Sequence, residues 1–276
     1  MKRFEIKLEG APENAFLDAY IPRIVPGEKR RALLVIPGGG YRGLAEDREG
    51  EPIAEAFIPY GFTPFVLHYY TGGEKPFPIQ LIQASYAIKH IKDNADEYGI
   101  SSDEIFTVGF SAGGHLAGCL AIMPSHGEIY DGTGIEPEYI RPRGAILIYP
   151  VVTPEYHFSS FKNLWCEEAP CAKALDLVSL DKQADERSAP LFILHTANDQ
   201  MVDVRNSLAI AEAYSALKKE YELHIFPDAP HGIALANSIT SRGHEKWDNK
   251  RIAEWVRISA EWAEELIEKT KNKDNI

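Results

Sequence analysis

A chain of 276 residues that is 45% hydrophobic and 25% charged has enough apolar material for a large core, which excludes global disorder. Its formal net charge of -12 excludes nucleic acid as the main partner, because neutralising phosphates needs a basic face that this composition lacks. No run approaches transmembrane length, so no membrane partner is expected either.

Met1-Lys2-Arg3 begins in the manner of a signal peptide, but Phe4 to Gly10 alternates apolar and polar residues and supplies neither an apolar stretch nor a small-residue cleavage site. A cytoplasmic protein is the expectation. Phe4–Leu8 and Phe16–Ile21 alternate as in an antiparallel edge hairpin. Ala32–Ile36 is a continuous apolar run, as in a parallel strand covered on both faces, and leads directly into Pro37-Gly38-Gly39-Gly40-Tyr41. Glycines there expose backbone N–H groups with no side chain in the way. Asp47, Arg48 and Glu49 then form a charge cluster that reads equally well as a buttress to this loop, as a substrate contact or as a solvated face. The next strand, Thr63–His68, ends in Tyr69 and Tyr70, and a single amphipathic helix is expected from about Leu81 to Tyr98.

Strand Ile105–Phe110 runs into Gly109-Phe110-Ser111-Ala112-Gly113 and then into a helix-like stretch, His115–Ala121. This is the pattern of a nucleophile elbow, in which small neighbours let strand and helix pass closely and leave a serine hydroxyl at the tip. His115, four residues after Ser111, is read as a structural hydrogen-bonding residue. Met123–Arg143 separates the elbow helix from the apolar strand Gly144–Tyr149, and Val152–Ala189, rich in aromatics, separates that strand from Leu191–His195. Both insertions are longer than ordinary connections and are expected near the carboxyl ends of the strands as a small lid or substrate wall. Asp199 follows Leu191–His195, a helix is expected over Val204–Lys219, and His231 follows the last strand, Glu222–Phe226. A final helix from Asn249 to Glu268 precedes a tail from Lys269 that reads as frayed.

Alternating strands and helices with right-handed crossovers give a single α/β domain over 1–276: a doubly wound, mostly parallel eight-stranded sheet with helices on both faces. Cys119, Cys166 and Cys171 have no metal-ligand spacing, and Cys166 and Cys171 are expected reduced. No pair among the unassigned histidines has metal spacing, so neither metal nor cofactor is expected.

A serine hydroxyl is a weak nucleophile at neutral pH and needs a base within hydrogen-bond reach and an acid that orients the base. In this architecture the order along the chain is serine, acid, histidine, each after a strand. Ser111, Asp199 and His231 satisfy that order. The developing oxyanion needs donors, and the amides of Gly39, Gly40 and Ala112 are placed to supply them.

The segments Pro37-Gly38-Gly39-Gly40-Tyr41, Arg48-Glu49-Gly50-Glu51-Pro52-Ile53-Ala54, Gly109 to Ala117 and His231-Gly232 together resemble the α/β-hydrolase superfamily. The resemblance is greatest to the bacterial esterase/lipase group that includes acetyl xylan esterase-like carbohydrate esterases. It implies the α/β-hydrolase fold and a serine carboxylesterase acting on short-chain acyl esters, acetylated sugars or oligosaccharides among them. Pro37 stands where lipase relatives carry histidine, which favours the carbohydrate-esterase branch. Asp203 stands at a position often held by proline in the family's acid loop and is the rival to Asp199. Tyr41, Tyr69 and Trp165 are the candidate substrate contacts, and the partner is a small-molecule ester; a homo-oligomer is left open. Two alternatives remain: a prolyl-oligopeptidase-type peptidase, which uses the same triad order with a large extra domain, and a non-catalytic binder on a hydrolase fold.

Overall fold

The computed structural model describes residues 1–274. Its frame is one sheet of eight strands: β1 (Lys2–Lys7), β2 (Phe16–Ile21), β3 (Arg30–Ile36), β4 (Phe62–His68), β5 (Ile100–Phe110), β6 (Gly144–Ile148), β7 (Leu191–Thr196) and β8 (Tyr221–Phe226). They lie in the order β1-β2-β4-β3-β5-β6-β7-β8. β1 pairs with β2 and β2 with β4 in antiparallel fashion, and all other neighbours are parallel. The expected hairpin and central parallel strands are all present.

The longer helices are α1 (Glu51–Phe57), α2 (Ile79–Asp93), α3 (Ala112–Ile122), α4 (Phe158–Trp165), α5 (Arg205–Ala216) and α6 (Trp255–Asp274). Because side chains alternate across a strand, β3 feeds two cores at once. Ala32, Leu34 and Ile36 pack into the layer formed with α2 and α3, and Leu33 and Val35 into the layer with α1 and α6. All five are fully buried, which explains why the strand is apolar without alternation.

The final helix expected from Asn249 is split by a turn at Glu254 into Lys250–Ala253 and α6, and three further expectations need correction. The helix expected over 81–98 breaks at Asn94, whose side-chain amide donates to the carbonyl of His90 at 2.8 Å; a short turn, Ala95–Tyr98, follows and ends at left-handed Gly99. The tail read as frayed from Lys269 continues as α6 to Asp274; Asn275 and Ile276 lie outside the described residues. The insertion 123–143 does not lie near the carboxyl ends of the strands. α3 carries the chain from the elbow back across the sheet, so this segment packs at the opposite end, where Arg143 N–H bonds the carbonyl of Ile105 at 2.7 Å and the Tyr139 hydroxyl reaches Asp93 at 2.8 Å. The insertion 152–189 does reach the carboxyl ends and brings α4 over them.

Candidate active site

Ser111 occupies the sharp corner between β5 and α3 with φ 54° and ψ -117°, a conformation that L-residues seldom adopt. The corner closes only because its neighbours lack side chains. A Cβ on Gly109 would lie 2.1 Å from the carbonyl oxygen of Gly113, and one on Gly113 would lie 2.2 Å from that of Ile36. The serine is thereby lifted to the start of α3, where the first-turn N–H groups have no partner inside the helix.

His231 comes to the same point from the loop after β8. Its Nε2 is 2.9 Å from Ser111 Oγ, and its Nδ1 is 2.7 Å from Asp199 Oδ2. An ionised carboxylate only accepts, so Nδ1 carries the proton and Nε2 is left free to accept from the serine hydroxyl. Asp199 is held in turn: its Oδ1 accepts the N–H groups of Met201 and Val202 at 2.9 and 3.0 Å. Burial alone would raise its pKa, but hydrogen bonds from His195 and His231 and the amide of Val202 outweigh it and hold the carboxyl well below the usual carboxylate range. The rival Asp203 lies on the surface, where its carboxylate grips Arg205 at 2.7 Å.

By sequence His195 is only the last residue of a strand. It is fully buried, with Nδ1 2.7 Å from Ser207 Oγ and Nε2 3.0 Å from the carbonyl of Val202 and 3.5 Å from Asp199 Oδ2. Ser207 donates to Nδ1, and the Nε2 proton points at the acid loop.

The glycine loop arrives from β3. Gly39 and Gly40 have φ of 133° and 65°, and a Cβ on Gly39 would meet the carbonyl oxygen of Gly43 at 2.1 Å. The N–H groups of both glycines find no acceptor among the described residues, and they border the same cavity as Ser111 and His231. That of Ala112, the first residue of α3, has none within the helix. Asn163 Nδ2 donates to the carbonyl of Gly40 at 2.7 Å, and the Tyr69 hydroxyl to that of Pro37 at 2.8 Å, fixing the loop from two sides.

The cavity over Ser111 measures about 250 Å³ and is walled by α4 through Ser159, Ser160 and Asn163, by His157 just before it, and by Met201 and Val202. None of the three expected substrate contacts is in that wall. Tyr41 is buried beneath the loop, its hydroxyl 2.7 Å from His115 Nδ1; Tyr69 is the strut to Pro37. Trp165 packs on Phe77 at 5.6 Å and borders a different, apolar depression. His115 has the structural role expected, accepting from Tyr41 at Nδ1 and donating from Nε2 to the carbonyl of Val178 at 2.8 Å. Burial lowers its pKa to about 4, with the Val178 carbonyl opposing, so it is neutral at pH 7. His157, which received no assignment, joins the wall with Nε2 3.1 Å from Ser160 Oγ.

Comparison with known proteins decides the family. A family profile described as the prolyl oligopeptidase family matches residues 87–269, more than half of the chain, and one described as BD-FAE matches residues 17–137. The crystal structure of MGS-M1, an α/β hydrolase enzyme from a Medee basin deep-sea metagenome library, is 30% identical, with 97% of this chain and 98% of that one aligned at a TM-score of 0.78. The chain belongs to the α/β-hydrolase superfamily, within the prolyl oligopeptidase family. The chain is also similar to the acetyl ester-xyloside bifunctional hydrolase of Caldicellulosiruptor lactoaceticus, with 28% identity, 95% and 96% coverage and a TM-score of 0.80. Among curated proteins, an acetylxylan esterase of Xylanibacter ruminicola is 26% identical over 85% of this chain and 46% of its own length. The chain spans only 33% and 46% of the lengths of the first two curated relatives it matches. Among the described residues no helix is long and apolar enough to cross a membrane, and no group of three or more histidine, cysteine, aspartate or glutamate side chains is arranged to hold a metal. The three cysteines are free thiols.

Proposed function

We propose that this hydrolase is a serine carboxylesterase for short-chain acyl esters, acetyl groups on sugars or oligosaccharides foremost. The observation that carries the reading is the hydrogen-bonded line Ser111 Oγ, His231 Nε2 and Nδ1, Asp199 Oδ2 running beside the open amides of Gly39 and Gly40. Ser111 attacks the ester carbonyl as His231 takes its proton; Asp199 stabilises the imidazolium, and the amides of Gly39, Gly40 and Ala112 receive the negative oxygen. His231 returns the proton to the leaving alcohol. Water then attacks the acyl-enzyme with the same imidazole as base, and the acid departs.

The substrate class rests on size and polarity. A cavity of about 250 Å³ suits an acetyl group better than a long chain, and the hydroxyl, amide and imidazole groups of Ser159, Asn163 and His157 suit a polyhydroxylated alcohol. The names carried by the acetylxylan esterase and acetyl ester-xyloside hydrolase relatives point the same way.

The test is hydrolysis of p-nitrophenyl esters from acetate to octanoate beside acetylated xylose and xylan. Activity is expected to fall with acyl length, and Ser111→Ala is expected to lose at least about 10⁴-fold of it while remaining folded. Undiminished turnover by that variant sinks the assignment, and a maximum at octanoate sinks the small-acyl reading. The profile match over residues 87–269 favours one second reading, a peptidase; it predicts faster cleavage of a prolyl p-nitroanilide than of p-nitrophenyl acetate.

A further inference from the structure

Glu49 is a carboxylate in the active-site wall with no part in the steps above, and it is almost fully buried. Its Oε2 accepts the N–H of Gly38 at 2.8 Å, and its Oε1 accepts the hydroxyl of Tyr149 at 3.0 Å. The Tyr149 hydroxyl accepts the N–H of Ala234 at 3.0 Å, and the Tyr149 ring stands edge-on to the His231 imidazole with centroids 4.9 Å apart.

The two ends of this chain of contacts matter. Gly38 leads into the amides of Gly39 and Gly40, and Ala234 lies three residues past His231. The oxyanion loop follows β3, Tyr149 follows β6 and the histidine loop follows β8, so Glu49 joins segments that leave the sheet at separate strands. Tolerance at the first joint is small, because a Cβ on Gly38 would lie 2.5 Å from the carbonyl oxygen of Phe110 and 3.1 Å from Ser111 Cβ. Tyr149 itself takes φ 38°, a left-handed conformation held by its partners.

A buried carboxylate is costly to keep, and a hydrophobic side chain of the same volume fills space without that cost. Burial pushes the Glu49 carboxyl up from its ordinary value; Arg48, the Gly38 amide, His231 and the Tyr149 hydroxyl all act against it. Arg48 lies 3.7 Å away and stacks over Trp247 at 5.2 Å. What a carboxylate offers here is two acceptor oxygens facing two donors in different directions. A glutamine offers one acceptor and turns a donor on the other partner.

We propose that Glu49 is a positioning residue: it clamps the oxyanion loop, through Gly38, to the histidine loop, through Tyr149 and Ala234, and so sets the distance between the oxyanion donors and the catalytic base. This inference rests on the esterase reading. A misplacement of about 1 Å can cost 10²-fold in rate, so Glu49→Gln is expected to lower kcat by about 10- to 100-fold on p-nitrophenyl acetate, with KM within about threefold of wild type.

A purely structural role would not weaken a transition-state mimic in step with kcat. The second readout is therefore a methylboronic acid, whose tetrahedral serine adduct places an oxygen at the oxyanion donors; its inhibition constant should rise in proportion to the loss in kcat/KM. A folded Glu49→Gln with kcat within about twofold of wild type, or with only KM changed, overturns the clamp and leaves the esterase reading standing. A wild-type protein inert toward every ester and unlabelled by a serine-reactive phosphonate overturns both. If Glu49→Gln does not fold, Tyr149→Phe, which leaves the bond from Gly38 to Glu49 intact, is judged by the same kcat, KM and boronate criteria.

Discussion

Asp199 Oδ2 sits 2.7 Å from His231 Nδ1, whereas the carboxylate of Asp203, four residues on, is turned outward to Arg205. The loop between them makes that difference, since Asp199 Oδ1 is tied to the amides of Met201 and Val202. Asp199→Asn should favour the wrong imidazole tautomer and cost about 10⁴-fold in kcat on p-nitrophenyl acetate, while Asp203→Asn stays within about threefold of wild type. The reverse ranking would assign the acid to Asp203.

Gly109→Ala and Gly113→Ala should each destabilise the fold by more than about 3 kcal/mol, because the added methyl meets main-chain oxygen, which has nowhere to move. Urea unfolding checks this, and a soluble variant within about 1 kcal/mol of wild type contradicts the geometry of the elbow.

Stability should fall on acidification through His115. Its folded pKa of about 4 lies below the ordinary histidine value, so the unfolded chain binds the extra proton first. The stabilisation is complete above about pH 6.5 and is lost as pH drops toward 4, at about 1.4 kcal/mol per pH unit and up to about 3 kcal/mol in all. In urea melts, His115→Gln should show a correspondingly shallower decline across that window than wild type. Parallel declines would mean that His115 is not held neutral.

Asn163 holds the carbonyl of Gly40 at 2.7 Å from above. Asn163→Ala should slacken the glycine loop and lower kcat by about 10-fold. Ser159→Ala, which removes a wall hydroxyl but no support of that loop, should alter KM for acetylated xylose and leave kcat on p-nitrophenyl acetate within about twofold. Equal losses in the two variants would remove the distinction between loop support and substrate wall.

The sheet was legible because apolar strands of fixed length, punctuated by glycine and proline, carry their own pattern, and the elbow because its glycines leave no freedom at that spacing. What escaped was the direction of individual side chains. Tyr41 is a candidate substrate contact by sequence, yet with Gly40 and Tyr41 both left-handed the loop turns its ring down onto His115. Trp165 is likewise a candidate contact by sequence, but it lies two residues from Asn163, roughly 200° around the helix, so when Asn163 faces the cavity Trp165 faces away. The same arithmetic held a usable signal: Ser159, Ser160 and Asn163 share a helix face and are the uncharged polar residues of α4. Glu49 carried an ambiguous signal, a charge cluster after the glycine loop that reads as buttress, substrate contact or solvated face, and His195 carried none, since a buried imidazole looks like a surface residue until the groups that satisfy it are known.

Ser111, Asp199 and His231 hang from segments that follow strand ends, whereas Ser159, Ser160 and Asn163 of the wall are a turn-and-a-half of α4 borne on a long excursion between β6 and β7. Roof and floor are therefore separable. On the esterase reading, altered selectivity for the alcohol should come from exchanging residues 158–165, with the glycines beneath left untouched.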